Sequence, residues 1–269
     1  MKRTTKRRLV RLALYALFVA VVVAVALLAD WPTIRENFWN AEGVAWSGQS
    51  NWPDLITVGV RNTIVYTLIA FGGGLALGLV MALLRLSPIA PYRWLATAYI
   101  ELFRGLPALV VMIFMSTGIP IAFQWTPPGG TVGAGLIGLV LVAGAYMAET
   151  LRAGIQAVPK GQTEAARSLG MGGGTTTVRV VLPQAFRIVI PPLTNEFVLL
   201  IKDTSLLFLL GAAAHERELT SVARDFLASG PSAGTATSLI QAALLYLIIT
   251  LPLTQLVAWL ERRQRRATR

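Results

Sequence analysis

The sequence predicts an all-α protein that crosses a membrane about six times. Of its 269 residues, 55% are hydrophobic and only 14% are charged, with a mean hydropathy of +0.62, whereas soluble domains carry roughly 25% charged residues. The net charge of +11 and the pI near 10.8 would suit a nucleic-acid-binding protein. Here, however, the positive charge clusters at the ends of apolar segments, which is typical of membrane topology. We therefore expect a lipid bilayer as the surroundings and no nucleic-acid partner.

Six apolar segments are each long enough to cross the hydrocarbon core, which takes about 20 residues in a helix. They are Leu9–Ala29, Ile56–Leu84, Trp94–Phe114, Val132–Leu151, Ile188–Leu210 and Ala236–Leu260. The first has the basic start of a signal peptide, but its apolar run is longer than a signal core and Ala29-Asp30-Trp31-Pro32 is a poor cleavage site. We interpret it as a retained anchor. The chain contains no cysteine, so disulfide and thiol chemistry are excluded.

The distribution of Lys and Arg orients these spans. Eighteen lie on one side of the predicted topology and four on the other, while Arg104 and Lys202 lie within spans. Positive loops stay in the cytoplasm, so we predict that both termini and the loop around Glu164 are cytoplasmic. Residues 1–55 are expected to form a basic segment, an additional span and an outer loop. Residues 56–269 are expected to form the main transmembrane unit.

The loop between the fourth and fifth spans carries the most specific pattern in the chain, EAARSLGMGGGTTTVRVVLP over residues 164–183. Glu164-Ala165-Ala166, then Gly170, then Leu182-Pro183, resembles the signature loop of permease subunits in ABC importers, with Val180 where that family has Ile. The resemblance implies a cytoplasmic coupling helix that docks into a partner ATPase through the matching residues Glu164, Ala165, Ala166, Arg167, Gly170, Leu182 and Pro183. The alternative is a short amphipathic helix that rests on lipid headgroups.

Local physical chemistry agrees with a helix in this loop. Pro159 suits a helix start and Gly170 suits a left-handed helix end. Glu164 and Arg167 have i, i+3 spacing, so they can pair with each other or with a partner. Thr175 to Thr177 offer capping hydroxyls, and we predict a second short helix that ends before Pro183.

Flanking stretches narrow the resemblance to the polar amino-acid branch of these importers, which serves ligands such as histidine, arginine, glutamate and glutamine. They are residues 99–107, 145–152, 154–162, 182–187, 191–197 and 200–206. The resemblance implies a second permease subunit, identical or related, two cytoplasmic ATPases, and an extracytoplasmic amino-acid-binding protein. Family members often have five spans, and this chain is expected to add one in front.

Polar residues within the fifth span form a stripe, because Asn195 and Lys202 share one helix face while Glu196 and Asp203 share the adjacent one. Charges within a bilayer are costly and usually functional. With Thr204, which follows directly, they are candidates for lining a substrate pathway. The alternative is an internal network in which Lys202 or Arg104 neutralises Glu101, Glu196 or Asp203 between helices. Glu101/Arg104 and Glu149/Arg152, each at i, i+3 near cytoplasmic ends, are predicted to be structural ion pairs.

Other features point away from catalysis. The sequence has no Gly-x-x-x-x-Gly-Lys-Ser/Thr loop, so ATP is expected to be bound by a partner, and neither a Ser/His/Asp set nor a metal cluster is found. His215 is interpreted as a solvated loop residue, and Gly74 and Gly78 as a small-residue contact between helices. Besides an ATP-driven importer, a secondary transporter or channel and a membrane-embedded enzyme or assembly factor remain as alternatives. ATP dependence of uptake separates the first two.

Overall fold

The computed structural model describes residues 3–38 and 50–267, and the regular elements of these residues are all helices. Eleven helices are labelled in chain order: α1 (Arg3–Leu28), α2 (Trp31–Phe38), α3 (Trp52–Leu86), α4 (Ala90–Gly105), α5 (Ala108–Phe123), α6 (Gly130–Gln156), α7 (Lys160–Ser168), α8 (Gly173–Thr176), α9 (Leu182–Asp203), α10 (Leu219–Ala228) and α11 (Thr237–Ala267). A 3₁₀ helix, Thr204–Leu210, continues α9. The all-α prediction is therefore confirmed.

Helix length and composition support fewer spans than the predicted six. Within the described residues α1, α3, α6 and α11 are long and apolar enough to cross a membrane, and α4 with α5 makes a fifth if this bent pair is one span. Helix α9 has the length, at 22 residues, but its charged side chains lower its hydropathy. A sixth span at this position stays a prediction.

The predicted span Trp94–Phe114 is wrong as a single helix. The chain breaks between α4 and α5, and the two helices meet at 107°. The cause is Pro107, whose ring disfavours the helical conformation for the residue before it. Leu106 accordingly lies in the extended region at φ −98° and ψ 141°.

The core lies where α3 and α6 pack most extensively against each other, with α4, α5 and α9 around them. Glycines permit the close approach of α3 and α6. A Cβ added at Gly74 would lie 2.8 Å from the Ala143 Cβ, and one added at Gly78 would lie 2.9 Å from the Gly144 carbonyl oxygen. These two glycines therefore pack helices within the chain, as small-xxx-small positions do.

Helix α1 contrasts with this core, since none of its apolar 18-residue window is buried. Its side chains from Leu12 to Leu28 are exposed on all sides. An apolar helix of this kind requires lipid or another protein around it. Residues 56–267 thus form their core without it.

Near the start of α3, α10 is fixed between α3 and α11. Glu218 is 1% exposed, and its carboxylate caps α10 by accepting from the Thr220 and Ser221 backbone N–H groups at 2.6 and 2.7 Å. The Tyr246 hydroxyl of α11 donates to it at 3.1 Å. Burial raises the pKa of Glu218, although these hydrogen bonds favour its ionised form.

Candidate functional site

Helix α7 ends in the way that the sequence predicts. Gly170 has φ +81°, and its N–H donates to the Arg167 carbonyl at 2.9 Å, while the Met171 N–H donates to the Ala166 carbonyl at 3.2 Å. This pair of bonds is a Schellman motif, which satisfies carbonyls that the helix end leaves free. At the other end, Pro159 precedes the helix as its N-cap residue. The helix is thus defined at both ends by its own sequence.

The free face of α7 carries most of the signature residues. Glu164, Ala165 and Arg167 are exposed, whereas Ala166 is buried. Glu164 and Arg167 are not among the salt bridges of the described residues, so both charges remain available to a partner. Leu169 is 84% exposed at the end of the helix. Sequence reasoning missed this leucine, although an apolar residue just before the terminating glycine is a detectable signal.

The loop that bears α7 is attached to the bundle by a small apolar cluster. Val158, just before α7, packs with Val181 and Ala185, which lie on either side of the start of α9. Gln184 Nε2 also donates to Gln162 Oε1 at 3.2 Å. The loop that bears α7 is therefore joined to the C-terminal end of α6 and to the start of α9.

The prediction of a second short helix that ends before Pro183 is wrong. Helix α8 passes through a π-helical turn, Thr177–Val181, into α9, so Leu182 and Pro183 open a long helix. Proline cannot donate to the carbonyl four residues back and its ring crowds that carbonyl; a wider turn accommodates both effects. The Thr176 and Thr177 hydroxyls donate to carbonyls of Gly172 and Gly173 rather than capping a helix start.

The polar stripe on α9 divides between two environments. Glu196 and Asp203 are half-buried and line a cavity of about 310 Å³ together with Tyr146 and the break at Leu106 and Pro107. Hence two carboxylates and irregular backbone face the same space. No salt bridge within 4 Å reaches either carboxylate from the described residues, so the network expected with Lys202 or Arg104 is absent there.

The rest of the stripe does not line this cavity. Asn195 and Lys202 are exposed on another face of α9. Thr204 is fully buried, and its hydroxyl donates to the Ile201 carbonyl at 2.7 Å. On a helix within a bilayer, an exposed lysine and asparagine require polar surroundings, so this face of α9 would be unsuited to lipid.

The predicted ion pairs Glu101/Arg104 and Glu149/Arg152 differ partly from those in the structure. Glu149 and Arg152 do form a salt bridge. Glu101 instead lies 3.5 Å from Arg85, and the Arg104 guanidinium lies over the Tyr146 ring at 5.6 Å. Arg85 also donates to Glu149 at 2.8 Å. Sequence reasoning missed Arg85 because the i, i+3 rule finds partners only within one helix.

These features define a multi-pass membrane protein with a capped, exposed loop helix attached to its spans, an architecture suited to the membrane subunit of a transporter. The family model described as "Binding-protein-dependent transport system inner membrane component" matches residues 74–266. The chain belongs to this family.

Relatives and solved structures agree. The chain is 37% identical to the probable glutamine ABC transporter permease protein GlnM of Bacillus subtilis over 211 residues, which cover 76% of this chain and 91% of that protein. It is 44% identical over 158 residues to the L-cystine transport system permease protein TcyB of the same organism, covering 59% and 66%. A crystal structure of "an amino acid ABC transporter with histidines" superposes with a TM-score of 0.69 at 36% identity, covering 79% of this chain and 95% of that one.

Proposed function

We propose that this chain is the membrane-spanning subunit of an ATP-driven importer of polar amino acids in the cell membrane of a prokaryote. Motion of cytoplasmic ATPases is transmitted through α7 to the spans, which open a central path alternately to the two sides. The observation that carries the proposal is the exposed helix α7 with its signature residues and its attachment to α6 and α9.

The contact surface of α7 supports an ATPase partner rather than lipid headgroups. Ala165 adds little bulk, so the helix can approach a cleft closely. Glu164 and Arg167 are free to form ion pairs across the interface, and Leu169 supplies an apolar contact at its end. Leu182 and Pro183 act indirectly by opening α9. ATP is bound by the partner, because the sequence lacks a phosphate-binding loop.

The substrate class is supported by the relatives and by the cavity. The similar permeases GlnM and TcyB belong to glutamine and L-cystine transport systems, which favours polar amino acids as the class. A zwitterion that leaves water needs polar partners, since an unpaired charge in a low-dielectric path is costly. Glu196 and Asp203 at the cavity offer acceptors for a substrate ammonium group.

The exposed face of α9 supports pairing with a second permease subunit, identical or related. Asn195 and Lys202 would be costly against lipid but suit a polar path between two subunits, with Thr204 stabilising the helix end behind them. An extracytoplasmic amino-acid-binding protein would deliver substrate to the outer end of that path.

Reconstitution tests this function. The chain is purified with its ATPase and binding protein, placed in proteoliposomes, and assayed for uptake of amino acids, sugars, phosphate and metal ions with and without ATP. We expect ATP-dependent uptake of one or more polar amino acids. Uptake that needs no ATP would favour a secondary transporter or channel, and uptake of only another solute class would refute the substrate assignment.

Thiol labelling tests the proposed orientation, with both termini and α7 in the cytoplasm. The chain has no cysteine, and Ser229 and Thr175 are both exposed. In intact cells a membrane-impermeant reagent should label Ser229→Cys and should reach Thr175→Cys only after the membrane is opened. Labelling of Thr175→Cys from outside would overturn the topology and ATPase docking together.

A further inference from the structure

Four charged side chains from three helices meet beside the cytoplasmic end of α6. Arg85 of α3 donates from Nη1 to Glu149 Oε2 at 2.8 Å, and its Nη2 lies 3.5 Å from Glu101 Oε1 of α4. Arg152 donates from Nε to Glu149 Oε2 at 3.0 Å and also contacts Oε1. We call these residues the ion cluster. One carboxylate, that of Glu149, thus holds two guanidinium groups from different helices.

Burial distinguishes the members of the ion cluster. The side chains of Arg85, Glu149 and Arg152 are 22%, 25% and 23% exposed, whereas Glu101 is 62% exposed. Exposed ion pairs contribute little because water screens them. The Arg85–Glu149 contact is short and largely shielded, so it constrains the positions of α3 and α6 more than the Glu101 contact does.

The ion cluster lies directly before the coupling helix. Arg152 also contacts the Gln156 side chain, and Gln156 is the last residue of α6. Only residues 157–159 separate it from α7, and Val158 among them is buried in the apolar cluster that holds the loop. The orientation of the last turn of α6 therefore determines the position of α7.

The Arg85–Glu149 contact adds to the apolar packing of α3 on α6. The two helices are in backbone contact at Gly78, where an added Cβ would lie 2.9 Å from the Gly144 carbonyl oxygen. Arg85 lies two turns further along α3, and Glu149 lies beyond Gly144 on α6. The apolar packing of α3 on α6, which includes Gly74 against Ala143, already holds the two helices together, and the Arg85–Glu149 contact extends this hold by two turns toward the C-terminal end of α3.

We propose that Arg85 and Glu149 are positioning residues that make the cytoplasmic ends of α3 and α6 move as one body with α7. When an ATPase displaces α7, the contact between Arg85 and Glu149 makes α3 follow the displacement of α6. This inference rests on the proposed function, since it requires an ATPase that acts on α7.

The test uses the complete complex of this chain, its ATPase and its binding protein in proteoliposomes, with ATP hydrolysis and substrate uptake measured together. Arg85→Gln leaves the Glu149–Arg152 pair in place. It should lower uptake per ATP hydrolysed by about three- to tenfold, while complex assembly and ATP hydrolysis persist. Arg85→Lys, which retains the charge, should restore part of the ratio. Arg93→Gln is the matched control, because the Arg93 guanidinium donates to the Ser87 and Pro88 carbonyls and forms no salt bridge within residues 3–38 and 50–267, and its ratio should be unchanged.

Cross-linking provides the second variant. In Arg85→Cys/Glu149→Cys, a bifunctional thiol reagent that spans the pair should join α3 to α6 and leave uptake active, because the two ends move together. Loss of uptake on cross-linking, with ATPase still bound, would show that the ends must separate and would overturn the proposal. An unchanged ratio in Arg85→Gln would also overturn it. If Arg85→Gln fails to assemble, uptake by the cross-linked complex is the measurement that tests the proposal. Absence of ATP-dependent uptake in the wild type would instead refute the proposed function.

Discussion

The contact between α3 and α6 at Gly78 yields a prediction with an internal control. Gly78→Ala places a Cβ 2.9 Å from the Gly144 carbonyl oxygen, 2.9 Å from the Met147 Cβ and 3.0 Å from the Ala148 nitrogen. None of these atoms belongs to a flexible side-chain end. Gly72→Ala on the same helix adds the same methyl group where no atom lies within 4 Å.

The expected size of the effect follows from this geometry. Relief requires the helices to separate by about 0.5–1 Å, and a gap of that size forfeits roughly a quarter to a half of each contact's dispersion energy. Overpacking of this kind costs about 1–3 kcal/mol. Gly72→Ala should be neutral or slightly stabilising, because alanine has the higher helix propensity.

Thermal unfolding of the purified proteins in detergent measures the difference. At about 2–4 °C per kcal/mol for a chain of this size class, Gly78→Ala should melt on the order of 5 °C below the wild type. Gly72→Ala should melt at or above it. Equal melting temperatures for the two variants would refute the argument that backbone contact at Gly78 holds α3 against α6.

Three further predictions concern α7 and the Glu218 cap of α10. Gly170→Ala should weaken ATPase docking and uptake, because a left-handed residue with a Cβ costs about 1–2 kcal/mol. The control Gly161→Ala, which adds a methyl group in open space within α7, should leave both unchanged. Pull-down of the ATPase and uptake assays compare the two variants. Leu169→Ser should reduce docking of the ATPase without lowering the melting temperature, because the side chain is 84% exposed. Burial raises the pKa of Glu218, so protonation of this carboxylate favours the folded state. The contribution of Glu218 to stability is complete below the pH range in which glutamate ordinarily ionises, and it is lost as the pH rises through the raised pKa. Melting temperatures of wild type should fall across that window, and Glu218→Gln should remove this dependence; parallel curves for the two proteins would exclude Glu218 as the source.

The sequence was informative wherever the determining interactions are local. Pro159 and Gly170 define α7 because each restricts its own backbone or its immediate neighbours, and the apolar spans follow from length and composition. The break at Leu106 was not predicted, although Pro107 is visible in the sequence. Averaging hydropathy over an apolar run gives no information on the backbone conformation of a single residue.

The candidate site was predictable only in part for the same reason. The pair Glu149–Arg152 lies within one helix turn and was identified, whereas Arg85 lies 64 residues from Glu149 and pairs with it only through packing of α3 on α6. Likewise, helical periodicity placed Glu196 and Asp203 on one face. That this face borders the α4–α5 break depends on tertiary structure.

The bend between α4 and α5 also determines which side of the bundle can meet lipid. Peptide groups released from helical hydrogen bonding at membrane depth have no partner in hydrocarbon, so such backbone occurs only where it is covered by protein or lines a water-filled space. Because two carboxylates share the cavity at this break, we expect protein or water rather than lipid on this side of the bundle. The bare apolar surface of α1 meets no such restriction and is suited to lipid.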